Sequence, residues 1–203
     1  MIWDVLNVIG TIAFAVSGAM VAMEEKYDIF GMYVLGLVTA FGGGVIRNIL
    51  IGIPVTTLWQ QELLIYTALL AITLIAVIPS KWMKYWRKWI NLFDAIGLST
   101  FSIQGALYAV QLHQPIVAVI IASVLPGIGG GVIRDTLAGR KPIVFQKEIY
   151  AFWSILIGIV IGLKWFQQDW ELYLLGIIII ILRMISLQYN WRLPIRNLDK
   201  SIS

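Results

Sequence analysis

The chain has 203 residues, of which 60% are hydrophobic and 13% are charged, and its mean hydropathy is +0.86. Soluble domains carry about 25% charged residues, so this composition excludes a soluble domain and indicates an integral membrane protein. The lack of cysteine excludes disulfides, and a single histidine excludes a His-rich metal site. The net charge of +4 lies between apolar stretches, where membrane topology explains it, so we expect no nucleic-acid partner.

The apolar stretches predict an all-α integral membrane protein with seven transmembrane helices. A helix needs about 20 mostly apolar residues to cross a bilayer. In chain order, the candidate spans are residues 3–23, 29–51, 62–79, 90–110, 115–138, 148–166 and 170–188. The loops between them are short, which predicts one compact unit, and residues 189–203 form a polar tail.

The distribution of basic residues predicts the orientation in the membrane. Lys and Arg concentrate on one side of the predicted helices, at Lys26, Lys81, Lys84, Arg87, Lys88, Arg140, Lys141, Lys147, Arg192, Arg196 and Lys200. The positive-inside rule makes this side cytoplasmic, with the N-terminus outside and the C-terminus and the tail inside. Residues 81–89 are expected to form a basic, aromatic cytoplasmic loop. Topology alone explains its charge, and binding of the head groups of membrane lipid is the alternative.

One segment of the sequence occurs twice, 87 residues apart. Residues 42–47 and residues 129–134 both read Gly-Gly-Gly-Val-Ile-Arg. The same offset relates further pairs: Asn7 and Asp94, Gly10 and Gly97, Phe14 and Phe101, and Gly18 and Gly105. The pattern predicts a first three-helix repeat over 1–80, a second over 90–166 and an additional seventh helix within 167–188. Because three is an odd number of spans, the second repeat must enter the membrane inverted relative to the first.

The two glycine triplets predict the site. Each glycine weakens a helix by about 1 kcal/mol relative to alanine, so we expect the second and fifth helices to bend or break there, or to let another group approach their backbone. Unpaired backbone in a membrane is tolerated only inside protein or against water, and exposed carbonyls favour a cation. We therefore expect a conduction or substrate path lined by Gly42, Gly43, Gly44, Gly129, Gly130 and Gly131. The alternative is close helix packing, the role we assign to Gly10, Ala13, Ser17 and Gly18 of the first span.

Charged and polar residues accompany each triplet. Arg47 and Arg134 act either as a gate or charge barrier on an aqueous path, or as side chains that extend toward the nearer membrane surface. A cation path requires these arginines to be paired or swung aside, and the candidate partners are Asp135, Asp94 and Glu148. Asn48 replaces the aspartate in the first copy, so the two halves differ electrically. Asn7 and Asp94 hold equivalent positions at the start of each repeat, where helix capping is an alternative role.

At these residues the sequence resembles the prokaryotic TRIC (trimeric intracellular cation) channels. The doubled Gly-Gly-Gly-Val-Ile-Arg-(Asn/Asp) motif, the Asn or Asp that opens each half and the three-plus-three-plus-one layout carry the resemblance, over roughly residues 3–190. It implies a homotrimer in the inner membrane of a prokaryotic cell. It also implies one potassium-permeable pore per protomer, with sodium as a second candidate ion, and bending of the second and fifth helices at the glycines.

Three functional hypotheses follow. The first is a passive potassium-permeable cation channel, and the second is a secondary transporter of glycine or another small amino acid. The third is a membrane scaffold in which the glycines serve packing alone. The sequence contains no catalytic constellation and no Walker or His-Glu-x-x-His motif, so we expect neither an enzyme nor a cofactor. The permeating monovalent cation is the one metal ion expected.

Overall fold

Seven α-helices make up most of the structure, a computed structural model that describes residues 2–78, 86–146, 149–166 and 168–191. The helices are α1 Ile2–Glu24, α2 Ile29–Ile51, α3 Glu62–Ala76, α4 Trp86–Gln111, α5 Ile116–Leu137, α6 Ala151–Gly162 and α7 Asp169–Gln188. Two short 3₁₀ helices, Val55–Gln60 and Ile143–Phe145, follow α2 and α5. The expected all-helical fold is confirmed.

Helix boundaries differ from the prediction mainly around the third and fifth connections. Residues 86–89 belong to α4 and not to the expected loop, while residues 81–85 lie outside the described part of the chain. The helix α3 ends at Ala76, three residues before the predicted end at Pro79. The helix α6 begins at Ala151, and the expected partner Glu148 lies outside the described residues.

In the described part of the chain, four helices are long and apolar enough to cross a membrane, namely α1, α2, α5 and α7. The helices α3 and α6 are apolar but shorter, with 15 and 12 residues. The helix α4 has 26 residues and carries charged groups such as Lys88 and Asp94. Large apolar side chains lie exposed along α3 and α7, including Leu63, Leu70, Leu74, Ile177 and Ile181. Apolar faces of this extent are typical of helices that face lipid.

The helices α1 and α4 lie at the centre of the bundle and pack against each other. The helix α1 also packs against α2 and α3, and α4 packs in the same way against α5 and α6. The helices α2 and α5 contact each other across the middle, and α7 lies against α4. Two apolar cores result: one joins α1, α2 and α3 around Leu35 and Ile72, and the other joins α4, α6 and α7 around Leu98 and Ile157.

The glycine triplets do not break their helices. Both α2 and α5 continue through the glycines without interruption, so the expectation of a broken helix with unpaired backbone groups is wrong. Close packing accounts for this result. The described triplet glycines are buried, and tertiary packing of a buried segment outweighs a weak intrinsic helix propensity. Pro126 also lies within α5, where it lacks the N–H that would bond to the carbonyl one turn earlier.

Candidate functional site at the crossing of two glycine-rich helices

The triplets lie where α2 and α5 cross. A Cβ atom added to Gly43 would stand 2.6 Å from the Pro126 carbonyl oxygen of α5. A Cβ added to Gly130 would stand 2.7 Å from the Thr39 carbonyl oxygen of α2. Thr39 and Pro126 are themselves 87 positions apart, so the two contacts are reciprocal. Because a backbone oxygen cannot move independently of its helix, only glycine permits the helices to approach this closely.

Apolar side chains close the same crossing from both halves. A Cβ added to Gly42 would meet the Ile133 side chain, and one added to Gly129 would meet the Ile46 side chain. The rings of Phe14 and Phe101 stack at a centroid distance of 5.3 Å. Phe14 contacts the Cβ position of Gly130, while Phe101 approaches that of Gly43. The centre of the bundle is therefore a tightly packed apolar constriction built twice from equivalent residues.

On one side of this constriction lies the second arginine cluster, formed by Arg134, Asp135, Asp94 and Ser17. The Arg134 guanidinium pairs with Asp94 Oδ1 at 2.7 Å and with Asp135 Oδ1 at 2.8 Å. It also donates to Ser17 Oγ at 2.5 Å. The side chains of Arg134 and Asp94 are each 1% exposed. One arginine of α5 is thus bonded to both central helices, through Asp94 of α4 and Ser17 of α1.

On the other side lies the first arginine cluster, formed by Arg47, Asn48, Asn7 and Gln104. Arg47 donates to Gln104 Oε1 at 2.6 Å, to Asn48 Oδ1 at 3.2 Å from two nitrogens, and to Asn7 Oδ1 at 3.4 Å. Its guanidinium carbon lies 5.1 Å from the centre of the Tyr108 ring. Arg47 of α2 therefore also bonds to both central helices, through Asn7 of α1 and Gln104 of α4.

The two clusters have equivalent geometry and opposite formal charge. All four positions match at the offset of 87: Arg47 with Arg134, Asn48 with Asp135, Asn7 with Asp94, and Ser17 with Gln104. The second cluster contains one cation and two carboxylates, for a formal charge of −1. In the first cluster the bonded partners of Arg47 are neutral amides, for a formal charge of +1. Among the described residues, no carboxylate forms an ion pair with Arg47.

A cavity of about 570 Å³ lies next to the second arginine cluster. Arg134 and Asp135 line it together with groups of both charge signs, Glu24, Glu25, Arg140 and Lys141. At its rim, Arg140 pairs with Glu24 at 2.9 Å and with Glu25. Asp135 Oδ2 also accepts a hydrogen bond from the Ile143 N–H at 3.2 Å, which fixes the 3₁₀ helix after α5. We name this polar opening the vestibule.

The structure brings together most of the residues that the sequence singled out. The expected carboxylate partners Asp94 and Asp135 do contact Arg134. Asn7 contacts Arg47, so neither it nor Asp94 serves merely as a helix cap. Neither arginine extends to a membrane surface, because both are nearly fully buried by polar partners.

Other residues of the site were missed or misassigned. Ser17, assigned to packing, bonds Arg134, and Gln104 was not considered. Their common offset of 87 was the signal that would have found both. Arg183 of α7 was also missed. It is buried, and its guanidinium carbon lies 4.6 Å from the centre of the Tyr150 ring.

Comparison with known proteins identifies the family. The family model described as "Glycine transporter" matches residues 4–80 and again residues 91–166. A crystal structure of a prokaryotic TRIC channel in 0.5 M KCl is 34% identical to the chain, with a TM-score of 0.85. The match covers 95% of this chain and 99% of that one. The chain belongs to the prokaryotic TRIC channel family.

Two further relatives match nearly the whole chain. The UPF0126 membrane protein YvgT of Bacillus subtilis is 56% identical over 97% of this chain and 98% of its own length. The TRIC trimeric intracellular cation channel orthologue from Rhodobacter sphaeroides is 27% identical, with a TM-score of 0.80 over 93% of this chain and 98% of that one. The predicted resemblance to TRIC channels is therefore confirmed, and the chain is a membrane protein with the TRIC fold.

Proposed function

We propose that this TRIC protein is a potassium-permeable cation channel with one pore in each protomer, located between α1, α2, α4 and α5. Its seven helices span the inner membrane of a prokaryotic cell as two inverted repeats plus α7, with the N-terminus outside. Three copies assemble, in line with the trimeric description of the Rhodobacter sphaeroides relative. The reciprocal contacts at the offset of 87 support the two-fold arrangement.

The single observation that carries the pore assignment is the alternation of polar and apolar layers along the α2–α5 crossing. An arginine cluster lies on each side of the constriction formed by Phe14, Phe101, Ile46 and Ile133. Charged residues inside a membrane protein are costly and are typical of an ion pathway. An apolar constriction between two polar layers is typical of a gate. Since the constriction is packed, conduction requires α2 and α5 to separate.

The arginines supply a means to hold the closed arrangement. Arg134 links α5 to α1 and α4, and Arg47 links α2 to the same two helices. Separation of α2 from α5 must therefore rearrange these bonds. In this proposal the glycines have two roles. They permit the close packing of α2 and α5 in the closed state, and they line the path when the two helices separate.

The alternative function, secondary transport of glycine or another small amino acid, is favoured by the vestibule. Its lining presents carboxylates such as Glu25 and cations such as Lys141. A zwitterion needs one group of each sign, for its ammonium and its carboxylate. The name of the matched family model agrees with this alternative.

One preparation tests both functions. The purified chain is reconstituted into planar bilayers for current measurement in KCl and into proteoliposomes for uptake of labelled glycine. The channel predicts unitary potassium currents and no saturable glycine uptake. Absence of potassium current at every voltage, together with saturable glycine uptake, would establish the transporter and exclude the channel. A scaffold would show neither activity.

A further inference from the structure

We infer that the charge difference between the two arginine clusters makes cation current larger outward than inward, and that Asn7 and Asn48 set this ratio. The inference rests on the proposed channel function. It concerns a property that neither the fold nor the conduction itself requires, since two electrically equivalent clusters would form the same constriction.

Among the described residues, no carboxylate is paired with the positive charge of Arg47. The residue is 3% exposed, so water screens it little, and its bonded partners Asn7, Asn48 and Gln104 are neutral. The nearest acidic residue along α1 is Asp4, which is exposed and therefore screened by salt. A cation that approaches the constriction from this side meets an unscreened positive charge.

On the side of the constriction that faces the vestibule, the net formal charge is negative. Arg134 is bonded to two carboxylates, Asp94 and Asp135. The charged groups that line the vestibule, Glu24, Glu25, Asp135, Arg134, Arg140 and Lys141, cancel formally, and Asp94 leaves a charge of −1. A cation that approaches from this side is attracted to the constriction.

The sign of the asymmetry follows from the direction of each helix. With the N-terminus outside, α2 runs outward and α5 runs inward, so Arg47 lies toward the outside and Arg134 toward the cytoplasm. The negative cluster raises the cation concentration on the cytoplasmic side, and the positive cluster lowers it on the outer side. A unit charge changes the local concentration of a monovalent cation about five-fold at 4 Å in a medium like water and about two-fold at 8 Å. We therefore expect outward current to exceed inward current by about two-fold or more.

The variant Asn48→Asp tests the assignment with little risk to folding. Arg47 Nε and Nη2 both lie 3.2 Å from Asn48 Oδ1, the arrangement in which Arg134 holds Asp135. The new carboxylate would also face Thr57 Oγ1, which now accepts from Asn48 Nδ2 and donates to the Pro54 carbonyl; the hydroxyl can rotate and donate to the carboxylate in place of Pro54. The change supplies a counter-ion to a buried cation without altering side-chain size.

The measurement is the current–voltage relation of the full-length protein in inside-out patches from giant spheroplasts, in symmetrical KCl at equal positive and negative voltages. The ratio of outward to inward current should be about two or more in the parent protein. It should fall about halfway toward one in Asn48→Asp, which makes the first cluster neutral, and approach one in Asn7→Asp/Asn48→Asp, which gives both clusters a formal charge of −1. Gln60→Glu is the matched control. It adds the same charge at an exposed position of the 3₁₀ helix that follows α2, and it should leave the current ratio unchanged.

The outcomes separate this inference from the channel proposal. Equal currents in both directions in the parent protein, or larger inward currents, would overturn the inference and leave the channel in place. So would an unchanged ratio in Asn48→Asp, provided that the variant elutes as the parent does on size-exclusion chromatography. Absence of potassium current in the parent protein would instead refute the channel proposal itself.

Discussion

The closest approach of α2 and α5 predicts that alanine substitution of two neighbouring glycines in one triplet, Gly43 and Gly44, affects the stability of the protein very differently. A methyl group at Gly43 would lie 2.6 Å from the Pro126 carbonyl oxygen, and it would need about 0.8 Å more room to reach an ordinary contact of 3.4 Å. Because the obstacle is backbone, the helices themselves must separate. Overpacking of this kind costs about 1–3 kcal/mol, so Gly43→Ala should lower the thermal stability by about 2–4 °C for each kcal/mol.

Gly44→Ala is the matched control on the same helix. The nearest atom to a Cβ at Gly44 is an Arg47 nitrogen at 3.9 Å, so alanine fits there. Its better helix propensity favours the folded protein by up to about 1 kcal/mol. Melting curves are recorded in detergent, with the remaining folded protein measured by size-exclusion chromatography. The melting temperature of Gly44→Ala should equal or exceed that of the parent protein, and that of Gly43→Ala should be lower. Equal stability of the two variants would refute the packing argument. A potassium flux assay on both then shows whether the packed crossing also controls conduction, with the larger change expected for Gly43→Ala.

Two further predictions concern buried contacts and use the same melting assay. Asp94→Asn removes one of the two carboxylates bonded to the buried Arg134, and because Asp135 still compensates the charge, it should cost about 1.5–3 kcal/mol, the range for a hydrogen bond to a charged group. Arg140→Gln breaks part-exposed pairs with Glu24 and Glu25 and should cost less than about 1 kcal/mol. Similar losses in both variants would contradict the assignment of Arg134 as a link between helices. Gly105→Ala would place a methyl group on the Ala122 carbonyl and should abolish recovery of folded protein, while Gly176→Ala meets side-chain atoms only, at 3.3 and 3.4 Å, and should be tolerated. Recovery of folded Gly105→Ala at the level of the parent protein would show that α4 and α5 can separate there at little cost.

The sequence by itself determined the class of the protein, the positions of its helices and its internal repeat. Each of these depends on composition or periodicity along the chain, and lipid imposes a strong length and polarity requirement on every helix. The doubled glycine motif was specific enough to identify the TRIC family, which the structural relatives confirm. The offset of 87 also anticipated that Asn7 and Asp94 occupy equivalent places.

Tertiary structure alone decided what the glycines and arginines contact. Helix propensity suggested a broken α2 and α5, but propensity is a local quantity, and the packing of Gly43 on Pro126 and of Gly130 on Thr39 outweighs it. The partners of Arg47 and Arg134 on α1 and α4 lie 40 to 117 positions away in the chain. No pattern along one helix specifies such contacts, because they depend on how four helices are oriented around a shared centre. The exchange of Asn48 for Asp135 was visible in the sequence, but only the structure showed that Asn7 and Asp94 also bond the two arginines, so that the clusters differ in sign.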